Sequence, residues 1–367
     1  MITEVLTPGD VKKMDPVFGQ MSFDNHEQIV FCHDKDTGLK AIIGVHNTVL
    51  GPALGGTRMW KYANEWEALN DVLRLSRGMT YKSAVTGLNL GGGKAVIIGD
   101  SKVDKTPEMM TRFGQFVNSL SGKYITAEDV GTTTQDMDLI REVTPYVTGV
   151  SESKGGSGNP SPVTAYGVYM GMKAAAQYRL GSDKLEGRTI LVQGIGHVGE
   201  TLVKHLTNDG ARVLIADISQ SRLEEVAKKY NATIYTDDVY SADVDIYAPC
   251  ALGATINDDT VYRIKAQVIA GAANNQLANE SVHGKILRER GIAYAPDFLI
   301  NAGGIINVYG EIVKYAEGEA MRRTENIYNT TLEIFALADA TNITTQQAAM
   351  SIAQKRIDDR KKEQSAS

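Results

Sequence analysis

Three observations predict an α/β protein of two domains. Strand-like and helix-like stretches alternate along most of the chain, the pattern of βαβ units around parallel sheets. A segment with almost nothing to bury, SESKGGSGNPSP at residues 151–162, interrupts that alternation. The length, 367 residues, suits two ordinary domains. The expected division is residues 1–150 and 151–339, with the chain beyond 339 helical.

Taken in order, residues 28–32 and 39–45 are rich in β-branched side chains and read as strands. Asn64 and Glu67 have capping-box spacing. Trp66, Leu69, Leu73, Ser76 and Arg77 continue that start as a helix with one apolar face. Residues 94–98 form a short apolar strand. Thr106 and Pro107 begin a further helix, with Thr as N-cap and Pro in the first turn. Its face is Met109, Phe113, Phe116 and Leu120. Residues 151–162 read as a surface loop or an interdomain hinge, and the regular pattern behind them favours the hinge. That pattern is a helix at 164–178, strand at 189–193, helix at 197–208, strand at 212–216 and helix at 219–230. Short apolar runs follow at 244–248, 267–270 and 292–295. They predict a parallel sheet with helices on both faces. Residues 320–337 and 345–361 read as helices, and 363–367 are expected to fray.

Composition narrows the function. Glycine is in excess: 36 residues, about 10 % against a usual ~7 %. There is no Gly-X-Y period and there are only 9 prolines, so neither collagen nor a disordered Pro/Gly chain fits. The net charge is −6 without a long basic block, which argues against nucleic acid or an anionic membrane as partner. Cys32 and Cys250 lack zinc-type spacing and cannot build a disulfide framework, so both are expected reduced and buried, as in a cytoplasmic protein. No metal is expected. Residues 1–10 carry Glu4 and Asp10 and lack the apolar core of a signal peptide.

Gly194-Ile195-Gly196-His197-Val198-Gly199 fits G-x-G-x-x-G, directly after a strand and at the start of a helix, with Asp217 ending the next strand. That context makes it a Rossmann-type dinucleotide site. Gly194 permits the tight turn, Gly196 lets backbone approach a pyrophosphate, and Gly199 lets the helix pack close to the strand. Helix N–H groups, from His197 and Val198 to Glu200, face the phosphates. Asp217 is expected to accept from the adenosine ribose and repel a 2′-phosphate, favouring NAD over NADP, with Arg222 nearby as a counterweight. A glycine turn without nucleotide is the alternative.

A second concentration of glycine surrounds two lysines, Lys82 and Lys94, in apolar sequence unlike that of solvated lysines. In a partly dry site a lysine pKa falls to roughly 7–8, where it can act as a base. Two lysines suit two tasks: one charged to hold a carboxylate, one neutral for chemistry. Asp129 ends the strand beginning at Tyr124 and precedes Gly131, a placement that projects a carboxylate into a cleft.

The runs GPALGGTRMW, GMTYKSAVTGLNLGGGKAVIIGD, YITAEDVGTT, GNPSPVTAYGVY, DIYAPCALGA, AGAANNQL and YAPDFLINAGGIINV closely resemble the leucine dehydrogenases of the Glu/Leu/Phe/Val amino-acid dehydrogenase superfamily. The resemblance spans nearly the whole chain from about residue 28 to residue 361. It implies a substrate and oligomerisation domain first and an NAD-binding Rossmann domain second, with an active-site cleft between them and the helices of about 340–367 returning to the first. It implies that Lys82 binds the substrate α-carboxylate, helped by backbone at Gly55 and Gly56. Lys94 would be the catalytic lysine, and Asp129 would exchange protons with the amino group. Thr164, Asn275 and Asn301 would lie at the cofactor. Leu54, Met79, Ala127, Ile305 and Val308 would line the substrate side.

The implied reaction is the reversible oxidative deamination of branched-chain aliphatic L-amino acids by NAD. L-Leucine leads, with valine and isoleucine, and the products are a 2-oxo acid, ammonium and NADH. A pocket without charge disfavours glutamate, whose carboxylate would be buried unpaired. The leucine enzymes usually have valine where this chain has Ile305, and a methylene is worth only ~1–3 kcal/mol in discrimination. Alternatives are a phenylalanine or valine dehydrogenase of the same family, or a non-catalytic amino-acid or nucleotide sensor. The family's typical octamer implies a homo-oligomer, and the N-terminus is longer than usual there. The clusters Gly51/Gly55/Gly56, Gly91/Gly92/Gly93 and Gly303/Gly304 are then expected to border the substrate, where backbone must approach a small ligand.

Overall fold

The computed structural model describes residues 17–19 and 24–366. The readings of residues 1–10 and of the lengthened N-terminus lie outside these described residues. Two compact units form, Met1–Gly158 with Ala353–Ser367, and Asn159–Ile352.

The first unit is a five-stranded mixed sheet. Its elements are β1 (Gln28–Asp34), β2 (Leu39–Asn47), β3 (Ala53–Trp60), α1 (Glu65–Val85), β4 (Gly91–Ile98), α2 (Pro107–Ser119), β5 (Tyr124–Glu128) and α3 (Thr134–Arg141). The strand order is β1-β2-β4-β3-β5, with β3 parallel to both β4 and β5. Side chains alternate across a strand. Ala53 and Met59 of β3 and Ala95 and Ile97 of β4 therefore face one core, closed by Met110 and Phe113 of α2 and Met137 and Ile140 of α3. Val96, on the opposite face, packs with Ala68, Leu69 and Val72 of α1. That same face carries Lys94 and Arg58, two residues from Val96 and paired with it, respectively.

The sequence pattern predicts no element where β3 lies. The glycine-rich segment before Arg58 is a strand interior, despite glycine's poor strand propensity, because it is paired on both sides. A Cβ at Gly55 would lie 1.7 Å from the Gly93 carbonyl oxygen, and one at Gly92 would lie 2.1 Å from Thr80 Oγ1 of α1. These glycines let the chain approach itself, strand to strand and helix to sheet. α1 also runs further than the pattern before Gly78 suggested, so Met79 and Lys82 are helical. Its N-cap behaves as expected on one side: Asn64 accepts from the Glu67 N–H at 2.9 Å. The returning Glu67 carboxylate accepts from the N–H of Ala63 instead, at 2.6 Å.

The second unit contains α4 (Ser161–Leu180), β6 (Thr189–Gln193), α5 (His197–Asn208), β7 (Arg212–Ala216), α6 (Gln220–Tyr230), β8 (Thr233–Ile234), β9 (Ile246–Pro249), β10 (Val268–Ile269), α7 (Glu280–Glu289) and β11 (Ala293–Tyr294). Short helices α8 (Asp297–Ile300), α9 (Gly303–Val313) and α10 (Glu319–Glu325) lead to α11 (Ile327–Thr341) and α12 (Thr345–Ala366), whose residues from Ala353 on belong to the first unit. All strand pairs of this sheet are parallel, in the order β11-β10-β9-β6-β7-β8. The order reverses at β6, and in open α/β sheets the crevice at such a point receives the ligand.

Three boundaries differ from the sequence reading. α4 begins at Ser161 and absorbs the end of the 151–162 segment, whose remainder includes a short 3₁₀ turn at Glu152–Lys154. The helix expected over 320–337 is two helices meeting at Asn326. The expected frayed end is helical through Ala366, since Lys, Glu, Gln and Ala are all good helix formers. α11 belongs to the second unit, with Phe335 stacked on Tyr178 of α4 at 4.2 Å between ring centroids. Both cysteines are free, Cys32 buried and Cys250 half-buried. No helix of the described residues is long and apolar enough to cross a membrane.

Candidate active site

In the first unit, α1 packs chiefly on β2 and β4, so the β3–β5 half of that sheet face is less covered. There the chain gathers its charges. Lys94 projects from the middle of β4 and is 7 % exposed. Asp129 follows β5 in a tight turn in which Gly131 has φ +82°, and a Cβ there would meet the Met59 carbonyl oxygen at 2.2 Å. The Thr132 hydroxyl ties this turn to β3, accepting from the Asp129 N–H at 3.0 Å and donating to the Thr57 carbonyl at 2.9 Å. The result brings Lys94 Nζ to 2.5 Å from Asp129 Oδ2.

Arg58, which sequence reasoning missed, completes the cluster. Its Nε lies 3.3 Å from the same Asp129 oxygen, and its Nη1 lies 3.0 Å from Asp71 Oδ2 on α1. The Tyr62 hydroxyl donates to Asp71 Oδ2 at 2.7 Å, and Arg74 Nη2 to Asp71 Oδ1 at 2.9 Å. The signal that could have found Arg58 is the period of two, which puts it on the Lys94 face once β3 is recognised as a strand.

The electrostatics follow from burial and from these neighbours. Loss of solvent presses Lys94 towards its neutral form, Asp129 opposes this, and the Arg58 cation adds to it. The Lys94 pKa falls below the usual 10.5. For Asp129, burial pulls upward, but Lys94 and Arg58 together outweigh it and hold the carboxyl below the ordinary aspartate range. A lysine pressed towards its neutral form in contact with a carboxylate is a pair suited to proton transfer.

The other expected residues of this unit lie on α1, β3 and β5. Lys82 is half-buried in the last turn of α1. Leu54 is buried in β3, Ala127 is half-buried in β5 opposite Gly56, and Met79 is half-buried on α1. Gly55 already receives the Tyr124 hydroxyl on its carbonyl, at 2.6 Å.

In the second unit the glycine loop leaves β6 at the sheet's reversal. Gly194 has φ +95° in the left-handed region, and a Cβ at Gly199 would lie 2.0 Å from the Gly194 carbonyl oxygen, while one at Gly196 would meet nothing within 4 Å. Ile195 is fully buried and anchors the loop, while His197 stays exposed. No side chain caps α5, so the N–H groups of its first turn, from His197 through Val198, remain for an anion. An open cradle over Gly196 beside uncapped helix donors fits a dinucleotide pyrophosphate.

Asp217 sits at this loop, accepting from the N–H of Ile195 and of Ser219, each at 2.9 Å. Glu200 lies in the first turn of α5, its N–H on the Gly196 carbonyl at 2.8 Å. Its carboxylate is turned to α6, where it pairs with Arg222 and Lys229 and accepts from the Tyr230 hydroxyl. Arg222 is further held by Glu225 at 2.8 Å. The counterweight that Arg222 offered to NAD preference is thereby neutralised by two carboxylates.

Around the start of α9, a Cβ at Gly303 would lie 2.6 Å from the Thr164 N–H nitrogen, so Thr164 and the α9 terminus are in close contact. Asn301 donates to the Ala272 carbonyl at 3.1 Å and to Asn274 Oδ1 at 2.7 Å, beside exposed Asn275, whose φ is +52°. Ile305 is buried on α9 and Val308 half-buried.

Two family models match the chain. Residues 26–146 match the Glu/Leu/Phe/Val dehydrogenase dimerisation domain, and residues 155–221 and 214–365 match the Glutamate/Leucine/Phenylalanine/Valine dehydrogenase model. The chain belongs to the Glu/Leu/Phe/Val dehydrogenase family. It is 54 % identical over 343 residues to the leucine dehydrogenase of Thermoactinomyces intermedius, covering 93 % of each chain. It is also 54 % identical to the leucine dehydrogenase of Bacillus subtilis (strain 168), covering 93 % of this chain and 94 % of that one. Among solved structures, the L-tryptophan dehydrogenase from Nostoc punctiforme superposes with a TM-score of 0.85 at 44 % identity, over 94 % of this chain and all of the other.

Proposed function

We propose that this chain catalyses the reversible, NAD-dependent oxidative deamination of branched-chain aliphatic L-amino acids, L-leucine foremost, with valine and isoleucine. The observation that carries the reading is the Lys94–Asp129 contact, a lysine nearly out of solvent 2.5 Å from a carboxylate. Its occurrence in a chain 54 % identical to leucine dehydrogenases supplies the substrate class. Lys82 holds the substrate α-carboxylate, beside backbone at Gly55 and Gly56. A nicotinamide dinucleotide held at the Gly194–Gly199 loop and Asp217 would supply the acceptor for the hydride of the substrate Cα. Neutral Lys94 takes a proton from the water that attacks the imine carbon, and Asp129 moves protons to and from the nitrogen. Because Lys94 must be neutral, kcat/KM for deamination should rise with pH, with a midpoint below the ordinary lysine value near ~10.4.

Leu54, Met79, Ala127, Ile305 and Val308 offer no charge, so a glutamate side chain would leave its carboxylate unpaired. Asp217 supports NAD over NADP because its charge repels a 2′-phosphate, and Arg222 is already occupied. Asp217→Ala should raise the NAD dissociation constant by about 10- to 100-fold, as for loss of a charged hydrogen-bond acceptor, and the NADP constant by less. Isothermal titration with each nucleotide checks this, and an unchanged NAD constant removes Asp217 from the site. Thr164, Asn275 and Asn301 belong to the cofactor side of the proposal, as do a homo-oligomeric, octameric state and a cytoplasmic location to its cellular side.

The test is formation of reduced cofactor, read by absorbance, with leucine, valine, isoleucine, phenylalanine and glutamate, each with NAD and NADP. The expected result is activity with the three branched-chain substrates and NAD, much less with phenylalanine and none with glutamate. Preference for phenylalanine points to the other branch of the family. Binding without turnover for every substrate points to a sensor.

A further inference from the structure

We propose that Arg58 is a positioning residue: shared between Asp71 and Asp129, it keeps a cation that does not titrate on the Asp129 carboxylate so that Lys94 can release its proton. The inference rests on the assignment of Lys94 and Asp129 as the reacting pair.

A lysine and an aspartate alone, in contact and nearly dry, would work against base catalysis. Each stabilises the other's charge, so the lysine holds its proton. Releasing that proton would also leave the aspartate charge buried without a partner, a costly state. A third charge that never titrates removes both obstacles, and guanidinium is the side chain that does not titrate. Arg58 Nε lies 3.3 Å from the oxygen that Lys94 contacts at 2.5 Å, so the two cations share Oδ2.

Asp71 competes with Asp129 for Arg58. Asp71, 13 % exposed at its side chain, receives Arg58 Nη1 and the Tyr62 hydroxyl on one oxygen and Arg74 on the other. Only a forked side chain can bridge carboxylates on two separate elements in this way. The charged and titratable groups that face Asp129 are Lys94 from β4, Arg58 from β3 and, more distantly, Tyr124 from β5 and Tyr62 after β3. Asp71 and Arg74 of α1 act through Arg58.

These signs make a test that simple structural damage would not reproduce. In Arg58→Gln, Asp129 grips Lys94 more firmly, and the midpoint of the rising limb of kcat/KM against pH should move up by about 0.5–1.5 units. kcat should fall more than KM changes, because Arg58 does not touch the substrate. Asp71→Asn should move the midpoint the other way: Arg58, no longer shared, is given wholly to Asp129, and the anion that favoured charged Lys94 is gone. Arg58→Lys retains the charge and should bring the midpoint back towards that of the unaltered enzyme. Midpoints that stay fixed, or that move in the same direction in Arg58→Gln and Asp71→Asn, overturn the inference. If Arg58→Gln fails to fold, Asp71→Asn decides alone: a downward shift supports the proposal, and a fixed or raised midpoint rejects it. Lys94→Ala separates the two levels. If it retains turnover, the assignment of the reacting pair fails. If it is inactive and the midpoints do not move, only the role of Arg58 fails.

Discussion

Lys94→Ala should slow the chemical step by roughly 10²- to 10⁴-fold, the usual contribution of a positioned general base. The proton of the attacking water would then have only solvent to receive it, and Asp129 would keep Arg58 as its one close cation. Nucleotide affinity should be nearly unchanged, because the glycine loop that receives it is built from β6 and α5 of the other unit. Stopped-flow measurement of reduced-cofactor formation gives the first quantity and equilibrium titration with NAD the second. A variant that keeps most of its turnover excludes Lys94 as the base. Loss of NAD binding in parallel would indicate general misfolding rather than loss of a base.

The largest effect on stability is expected from Gly55→Ala. The added methyl carbon would be placed 1.7 Å from a carbonyl oxygen of the neighbouring strand. No side chain can rotate to relieve that overlap, so β3 or β4 must move, and β3 is paired on both sides. Overpacking by a methylene in a close-packed interior typically costs ~1–3 kcal/mol, and an overlap with rigid backbone belongs at or above the upper end. Gly78→Ala is the contrast. Gly78 is exposed, helical and has nothing within 4 Å of an added Cβ. There alanine should stabilise α1 by ~0.5–1 kcal/mol through helix propensity. Denaturant midpoints of the two variants should fall on opposite sides of the parent's. A Gly55→Ala protein as stable as the parent would show that the strands are not held as described.

The second unit was the more legible in sequence. The strand at 189–193, the helix at 197–208 and the strand at 212–216 coincide with β6, α5 and β7. A glycine fingerprint fixes where that strand stops and the helix starts, so local chemistry and tertiary structure agree there. In the first unit they do not. Residues 53–60 carry no strand signal because glycine disfavours strands, and only pairing with β4 and β5 makes them a strand. With β3 unseen, Arg58 had no assigned face and could not be connected to Lys94. Asp71 was hidden for a related reason: it reads as a polar position on an amphipathic helix, and its value lies in what it reaches across the sheet. The partners of Glu200 were likewise invisible, since Arg222, Lys229 and Tyr230 are distant in sequence and meet it only when α6 packs beside α5.

The glycine excess has a double meaning as a result. The Gly194–Gly199 loop keeps space for a ligand above Gly196, whereas Gly55, Gly92 and Gly303 give up their side chains so that the protein can approach itself. The two uses are indistinguishable by composition. At these positions they differ in what an added Cβ would meet: open space at Gly196, the chain's own atoms at Gly55, Gly92 and Gly303.

The central claim is tested most directly by product stoichiometry. The purified protein is mixed with L-leucine and NAD at mildly alkaline pH, and NADH, 2-oxo acid and ammonium are quantified in the same samples. Oxidative deamination predicts the three products in equal amounts, rising together in time and absent with Lys94→Ala. NADH without ammonium, or no product with leucine, valine or isoleucine, would contradict the account.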